Sequence, residues 1–274
     1  MPSNLKISIS HSVAVVWMTR AEVRNAFNET TIAELTDAFL ALGADPAIRA
    51  IVLAAEGPAF CAGADLDWMR RMAQYSNEEN RTDALKLAVM LRTIHECPKP
   101  VIARVHGAAF AGGMGLVAVC DIAIASGNAE FCLTETKLGL IPATIAPYVL
   151  RAIGPNHARR YFLTAEKFDA AEAARIGLVH SVVPLQDLDA AIDELLEALM
   201  LTSSEAVAAA KRLVRDLAFR PVDDAVVAYT AERIAAIRCS ADGREGIASF
   251  LEKRKPRWVT EHDAAANQGD DEEM

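Results

Sequence analysis

The sequence predicts a layered α/β fold, followed by an all-helical C-terminal region. Two glycine-containing turns, at residues 60–66 and 107–116, lie about fifty residues apart, and each follows an apolar β-like run and opens a helix-like stretch. After about residue 190 the strand patterns end and helical patterns continue. We therefore expect a core over residues 1–195, a helical oligomerisation region over 196–260 and a disordered acidic tail over 261–274.

Each element is predicted from its local pattern. Residues 5–18 alternate around His11 and Ser12, which predicts a hairpin. Continuous apolar runs predict buried strands, and capping residues followed by apolar positions at helical spacing predict helices. The predicted strands after the hairpin are 50–55, 101–105, 121–125 and 130–133. The predicted helices are 28–42, 66–94, 116–119, 190–201, 204–217 and 223–240.

Composition excludes several classes of protein. The chain of 274 residues is 52% apolar and 24% charged, as in ordinary globular proteins, and its formal charge of −9 opposes a nucleic-acid partner. The five cysteines are scattered without metal-ligand spacing, so we expect buried reduced thiols and no metal site. The start lacks a signal peptide, and the apolar stretch 105–125 contains His106 and Asp121. We expect a cytoplasmic protein that does not bind membranes.

The two turns point to acyl-group chemistry. Small residues let a ligand approach the backbone closely, and the first N–H groups of a helix are unpaired. Two such groups that converge on one point stabilise an oxyanion, as the polarisation of a carbonyl requires.

Glu135 is the candidate acid or base. It lies among apolar neighbours in residues 133–142, and burial raises the pKa of a carboxyl group toward neutrality. A structural ion pair between Glu135 and Lys137 explains the same spacing equally well.

Three segments, residues 60–66, 107–121 and 135–142, together resemble the enoyl-CoA hydratase/isomerase (crotonase) family. The segments occur in the family's order, and the resemblance extends from residues 24–27 to residues 250–254. It implies a spiral of ββα repeats with a C-terminal helical trimerisation region, assembled as a homotrimer or as a hexamer of two trimers. It also implies an acyl-CoA substrate, so that coenzyme A is part of the substrate and there is no prosthetic group.

The resemblance assigns roles to particular residues. The N–H groups of Ala64 and Gly112 match the oxyanion hole, and Glu135 matches a catalytic glutamate. The carbonyl groups of Ala62 and Ala64 match adenine contacts, and Phe250 and Lys253 match positions that close over the nucleotide, often from a neighbouring subunit. The expected coenzyme A contacts are Arg24, Ala62, Ala64, Asp65, Leu66, Phe250 and Lys253. The expected acyl-pocket residues are Trp68, Met69, Gly115 and Tyr148.

One position departs from the family pattern. Hydratases of the family usually carry two catalytic glutamates twenty residues apart, and Gly115 stands where the first is expected. Either Glu135 alone moves both protons through a bound water, or another polar group substitutes. Single-carboxylate members of the family also include double-bond isomerases, which keeps isomerisation open.

Residues 60–70, 111–116, 131–135 and 145–149 resemble the bacterial methylglutaconyl-CoA hydratase branch, which also carries this glycine. The implied reaction converts 3-methylglutaconyl-CoA to 3-hydroxy-3-methylglutaryl-CoA in leucine degradation. Isohexenylglutaconyl-CoA (carboxygeranoyl-CoA) hydratases are relatives of this branch and remain an alternative. Candidate partners for a substrate carboxylate are Arg70, Arg71, Lys137, Tyr75 and Tyr148, although the pattern around the two arginines is more typical of a solvated helix face.

Two other classes are disfavoured. Residues 113–118 satisfy the dinucleotide-binding pattern G-x-G-x-x-A, but the strand predicted at 101–105 ends too far before it. RNA binding, known for one branch of the family, is opposed by the acidic balance of the chain.

Overall fold

The computed structural model describes residues 3–259, which belong to two compact units that meet in the sequence between Ile192 and Asp193. The strands are β1 (Leu5–Ser10), β2 (Val13–Met18), β3 (Ala50–Ala55), β4 (Ala59–Cys61), β5 (Val101–Val105), β6 (Ala108–Phe110), β7 (Ile122–Ser126), β8 (Glu130–Cys132), β9 (Phe168–Asp169) and β10 (Ser181–Val183). The helices are α1 (Glu29–Ala44), α2 (Leu66–Met72), α3 (Asn77–Glu96), α4 (Gly112–Val119), α5 (Ala146–Thr164), α6 (Ala170–Arg175), α7 (Leu188–Met200), α8 (Ser204–Leu217), α9 (Asp224–Cys239) and α10 (Ala241–Leu251).

A six-stranded sheet, in the order β1-β2-β3-β5-β7-β10, forms the centre of the first unit. The predicted N-terminal hairpin is confirmed, because β1 and β2 pair antiparallel around His11 and Ser12, whose φ angles are 46° and 65°. The strands β2, β3, β5, β7 and β10 run parallel. Every residue of β3 is buried, which explains its unbroken apolar sequence.

The first unit also contains a smaller, four-stranded sheet. Its strands β4, β6 and β8 are parallel neighbours, and β9 adds antiparallel at the edge. Three successive strand pairs, β3-β4, β5-β6 and β7-β8, each contribute one strand to the large sheet and one to the small sheet before the chain enters a helix. The predicted alternation of strand, turn and helix is therefore confirmed. The predicted repeat of about fifty residues holds only for the first coil, since β3 begins at Ala50, β5 at Val101 and β7 at Ile122.

Several predicted helix boundaries were wrong. The segment 66–94 is not one helix: α2 ends at Met72, and Ser76 starts α3 with a capping box that uses Glu79. The helix predicted at 116–119 begins four residues earlier, at Gly112. The helix predicted at 223–240 is confirmed as α9, whereas the separate helix α10, which Ser240 caps, was not predicted.

The cysteine prediction also needs a correction. Cys61, Cys97 and Cys132 are buried and Cys120 is half-buried, but Cys239 is exposed. Burial raises the pKa of the Cys61 thiol to about 12, which disfavours a nucleophilic thiolate in the first glycine turn.

Side-chain hydrogen bonds hold the helices of the second unit together. The Tyr229 hydroxyl donates to Asp216 at 2.6 Å, and Ser203 donates to Asp242 at 2.6 Å. The predicted acidic tail at 261–274 lies outside the described residues. Over residues 3–259, no helix has both the length and the apolar character that a membrane span requires.

Candidate active site

The first glycine turn follows β4 and presents the backbone of Ala64. Phe27 and Ala64 form a parallel bridge in which the Phe27 N–H donates to the Gly63 carbonyl and the Asp65 N–H donates to the Phe27 carbonyl, both at 2.7 Å. In such a bridge the central residue directs its own N–H and C=O away from its partner. The Ala64 N–H accordingly donates to no acceptor among residues 3–259, and Ala64 is only half-buried, so a ligand can reach it.

Asp65 lies at the end of this turn and holds the start of helix α2 in place. Its Oδ1 accepts hydrogen bonds from the N–H groups of Asp67 at 2.8 Å and Trp68 at 3.2 Å, which caps helix α2. Its Oδ2 pairs with Arg20 at 2.8 Å. Burial acts to raise the pKa of the Asp65 carboxyl, but Arg20 and the helix N–H groups outweigh burial and hold that pKa below its usual value. Asp65, predicted to contact coenzyme A, thus has a clear structural role.

The second glycine turn joins β6 to α4 through the single residue Ala111. The Ala111 carbonyl accepts the N–H groups of Met114 at 3.0 Å and Gly115 at 3.3 Å. The N–H of Gly112, the first residue of α4, donates to no acceptor within the described chain, as expected at a helix start.

The two turns are in direct contact. A Cβ atom placed on Gly112 would lie 2.7 Å from the Phe27 ring, and one placed on Gly113 would lie 2.3 Å from the Cys61 carbonyl oxygen. Phe27 therefore bonds to the first turn through its backbone and touches the second through its ring. Only glycine at positions 112 and 113 allows the two turns to pack this closely, and this packing holds the unpaired N–H groups of Ala64 and Gly112 on adjoining turns.

Glu135 follows β8 and begins a 3-10 turn that ends at Leu138. Its Oε2 is buried and has no hydrogen-bond partner, and burial raises the pKa of the carboxyl group. Glu135 forms no ion pair with Lys137, which removes the structural explanation for its spacing.

The three predicted catalytic residues follow the carboxyl ends of three adjacent parallel strands. Cys61 pairs with Ala109, and Phe110 pairs with Cys132, so β4, β6 and β8 end at the same edge of the small sheet. Ala64, Gly112 and Glu135 come two or three residues after these ends. The arrangement places two unpaired N–H donors and one carboxyl group of raised pKa together, as a site that polarises a carbonyl and moves a proton requires.

Gly115, the position of the missing glutamate, is closed by packing. A Cβ atom at this position would lie 2.1 Å from Cγ2 and 2.8 Å from Cβ of Ile145. Ile145 is 1% exposed, so an apolar side chain fills the volume that a glutamate would need.

Comparison with known proteins decides the family. Residues 8–261 match the family model described as enoyl-CoA hydratase/isomerase. The chain belongs to the enoyl-CoA hydratase/isomerase family. The predicted crotonase-type fold, with a helical C-terminal region, is thereby confirmed, and so is the prediction of a hydratase-type enzyme.

Individual relatives cover nearly the whole chain. The crotonyl-CoA hydratase of Syntrophomonas wolfei is 32% identical over 259 residues, which are 94% of this chain and 98% of the relative. The crystal structure of an enoyl-CoA hydratase from Shewanella pealeana is 42% identical, covers 93% of this chain and 96% of its own, and superposes with a TM-score of 0.91. Pseudomonas aeruginosa AtuE is 36% identical and superposes with a TM-score of 0.90, over 94% of this chain and all of its own.

Of the residues that the family resemblance assigns to coenzyme A, four lie in the first turn, and Arg24 is hydrogen-bonded to it; the four are Ala62, Ala64, Asp65 and Leu66. The exposed Arg24 accepts the Ala62 N–H on its carbonyl at 3.0 Å. The carbonyl groups of Ala62 and Ala64 accept no hydrogen bond from residues 3–259, so both are open to a donor such as an adenine amino group. Leu66 is 69% exposed.

Phe250 and Lys253 lie apart from these residues in the sequence, in the second unit. Phe250 belongs to the last turn of α10 and is 82% exposed, and Lys253 follows that helix with a φ angle of 53°.

The predicted acyl-pocket residues differ in their surroundings. Trp68 is 3% exposed and packs in the hydrophobic core beside Asp83, whose carboxyl pKa is raised by burial. Met69 is half-buried. Tyr148 is also half-buried and meets His95 edge-on, with the ring centroids 5.2 Å apart. Burial, and then the charge of Glu96, raise the pKa of the Tyr148 hydroxyl.

The cationic candidates for binding a substrate carboxylate differ in whether they already form an ion pair. Arg71 forms a bidentate ion pair with Glu29, at 2.8 and 2.7 Å, and Arg70 pairs with Asp67. Lys137 is exposed and makes no ion pair with any described residue. Among residues 3–259, no group of three or more His, Cys, Asp or Glu side chains is placed to hold a metal ion.

Sequence reasoning missed Ile145 and Ala111. Ile145 reaches Gly115 across thirty residues of chain, which no local pattern indicates. Ala111 lies within the second predicted turn, at residues 107–116, but an alanine in the sequence does not indicate the positive φ angle that glycine favours.

Proposed function

We propose that the protein adds water across the conjugated double bond of a 3-branched enoyl-CoA that carries a terminal carboxylate. The substrate that fits best is 3-methylglutaconyl-CoA, and its product is 3-hydroxy-3-methylglutaryl-CoA. The observation that carries this proposal is the edge of the small sheet, where Ala64, Gly112 and Glu135 follow three adjacent parallel strands.

The first step uses Glu135 as a base. The thioester oxygen accepts hydrogen bonds from the N–H groups of Ala64 and Gly112, which draws electrons from C3 of the enoyl group. Ionised Glu135 removes a proton from water as the water oxygen bonds to C3. The π electrons move toward the thioester and form an enolate, and each N–H donor stabilises this developing charge by roughly 3 kcal/mol.

The second step returns the proton. The carboxylic acid form of Glu135 protonates C2, the carbonyl re-forms, and Glu135 is ionised again. One water molecule is added, and no group leaves. A carboxyl group whose pKa burial has raised suits both steps, because it accepts and donates a proton near neutral pH.

Lys137 is the residue we assign to the substrate carboxylate. Arg70 and Arg71 already bind Asp67 and Glu29, and a paired guanidinium gains less from a second carboxylate. Lys137 lies in the same 3-10 turn as Glu135 and is unpaired within the described chain.

The replacement of Lys137 by Met should separate two substrates. We expect a rise of about tenfold in KM for 3-methylglutaconyl-CoA, because one charge-assisted contact is lost, and little change for crotonyl-CoA, which has no carboxylate. Lys167→Met is the matched control, since Lys167 pairs with Glu130 on the surface. An equal rise in KM for both substrates would reject the assignment of Lys137.

Enoyl isomerisation is the second candidate, and the packing of Ile145 over Gly115 favours it. A site with one carboxyl group is sufficient to move a proton between two carbons. Isohexenylglutaconyl-CoA is the other candidate substrate for hydration, and it differs in its longer acyl branch.

The deciding experiment measures turnover of a panel of enoyl-CoA esters in heavy-oxygen water. The panel contains crotonyl-CoA, 3-methylglutaconyl-CoA, isohexenylglutaconyl-CoA and a 3-enoyl-CoA. We expect the highest kcat/KM with 3-methylglutaconyl-CoA and one heavy oxygen in the product hydroxyl. Turnover that only moves the double bond, without incorporation of label, would establish the isomerase instead.

A further inference from the structure

The residue between β6 and α4 has an unusual backbone conformation. Ala111 has φ 48° and ψ −120°, a region that L residues with a Cβ atom rarely adopt. Other non-glycine residues with positive φ are less strained: Arg24 has ψ 41° and Ala165 has ψ 33°, both in the left-handed helical region. Ala111 is therefore held in its conformation by the residues around it.

Backbone hydrogen bonds hold Ala111 on both sides. Its N–H donates to the Cys132 carbonyl at 2.8 Å, at the end of the strand that precedes Glu135. Its carbonyl accepts the N–H groups of Met114 and Gly115. Because the C=O and N–H of a trans peptide point in opposite directions, this carbonyl fixes the direction of the Gly112 N–H.

The methyl group of Ala111 faces the other turn. An ideal Cβ atom on Gly63 would lie 3.1 Å from the Ala111 Cβ, so the methyl group packs against the residue that precedes Ala64. One small residue thus touches the turn of Ala64, sets the peptide of Gly112 and bonds to the strand of Glu135.

We propose that Ala111 is a positioning residue that sets the spacing and direction of the Ala64 and Gly112 N–H groups toward a thioester oxygen. The inference rests on the proposed function, because it assigns a role in holding the acyl-CoA carbonyl. A glycine at this position keeps the turn without strain but removes the methyl group and frees the backbone.

Three variants test the role. Ala111→Gly removes the methyl group, Ala111→Ser keeps the Cβ atom, and Ala165→Gly is the control, since it also removes a methyl group from an alanine at positive φ. For Ala111→Gly we expect kcat to be about tenfold lower, because an N–H donor that is less well oriented lowers kcat less than the loss of the donor does. We expect KM to stay within about twofold of the native value. The melting temperature should not fall, because glycine adopts this backbone conformation without strain. For Ala111→Ser and Ala165→Gly we expect kcat within about threefold of the native value.

A second readout does not depend on turnover. A chromophoric cinnamoyl-CoA ester absorbs at longer wavelength when its carbonyl oxygen is polarised. We expect the native protein to shift this band, and Ala111→Gly to bind the ester equally well with a smaller shift.

Each outcome has a distinct meaning. Native kcat and a native band shift in Ala111→Gly would overturn the inference, and so would equal losses in Ala111→Gly and Ala165→Gly. A native protein that shifts the band but hydrates no ester of the panel would reject the proposed reaction alone. A native protein that binds the ester without any shift would overturn both this inference and the assignment of the oxyanion hole.

Discussion

Glu135 combines a buried, unpartnered carboxyl oxygen with a pKa that burial raises. A buried polar atom that is not hydrogen-bonded destabilises the folded state. A purely structural role therefore does not explain why the Glu135 side chain is buried here. The same feature is useful in a site where a water molecule or a substrate carbon exchanges a proton with the carboxyl group.

Replacement of Glu135 by Gln should abolish most of the turnover without unfolding the protein. We expect kcat to fall by at least ~10²-fold, since an amide neither accepts nor donates the proton, while affinity for a product acyl-CoA stays close to native. Steady-state kinetics and calorimetric titration of the product measure the two effects. Glu130→Gln, which replaces an exposed carboxylate in the preceding strand β8, serves as the control. Near-native turnover of Glu135→Gln would remove the acid/base assignment.

The same substitution has a predicted pH signature in stability. The folded-state pKa of Glu135 lies above its ordinary value of 4.5. Its contribution to stability is therefore fully present below that value and is lost as pH rises through the folded-state pKa. We expect the melting temperature of Glu135→Gln, minus that of the native protein, to increase as pH rises from about 4 to 8. Thermal melts at fixed protein concentration measure this, and a difference that does not change with pH would contradict the raised pKa.

At the residue scale, the sequence indicated some features of the candidate site and not others. The two glycine turns were predicted because small residues between an apolar strand and a helix are a local pattern, whereas the choice of Ala64 and Gly112 within them came from the family resemblance and their roles stay predictions. The roles of Ile145 and Ala111 were not predicted, because they depend on a contact across thirty residues and on a backbone angle.

Helix α4 shows how packing between elements determines sequence. Its first four residues include Gly112, Gly113 and Gly115, which are poor helix formers, yet each faces a neighbour that leaves no room for a Cβ atom. This explains why the predicted helix began too late: propensity argued against the glycines, and tertiary packing required them.

Substitution of Gly115 by Ala should destabilise the protein by about 1–3 kcal/mol, because the new methyl group overlaps Ile145. Gly127→Ala is the control, since its nearest neighbour is 3.9 Å from the added Cβ, and we expect a change of about 0.5 kcal/mol or less. Denaturant unfolding measures both. If Gly115→Ala were as stable as Gly127→Ala, the contact with Ile145 would not be tight.

The break between α2 and α3 was missed although its signal was present. Ser76 and Glu79 form a capping box, a recognisable helix start, but the residues on both sides also favour helix and concealed the interruption. The short strands β9 and β10 have two and three residues and left no detectable pattern.

Over the whole molecule, exposed apolar side chains concentrate in the C-terminal helical unit. Val214, Phe219, Val222, Phe250 and Leu251 are each more than 70% exposed. A monomer rarely leaves so many large apolar groups in water, so we propose that this unit assembles copies of the chain, as a trimer or a hexamer. In that assembly Phe250 and Lys253 would close over coenzyme A bound to a neighbouring subunit.

Light scattering tests the assembly directly. We expect a mass of three or six chains of 29.5 kDa, and a smaller species for Val214→Asp, because a buried unpaired carboxylate opposes association. Leu163→Asp replaces another exposed leucine, in α5, and should leave the mass unchanged. A native mass of one chain would end the proposal.

The long first coil leaves the large sheet at Ala55 and returns to it at Val101, with both ends anchored in adjacent parallel strands. Because the entropy of closing a loop grows slowly with its length, insertions between α2 and α3 should cost little in folding, whereas Trp68, Met90, Leu91 and Ile94 belong to the hydrophobic core and have to be kept. A chimera that takes residues 66–96 from a homologue with a different acyl preference should therefore retain the fold when these four core positions stay apolar and similar in volume, and it should then show the acyl preference of the homologue.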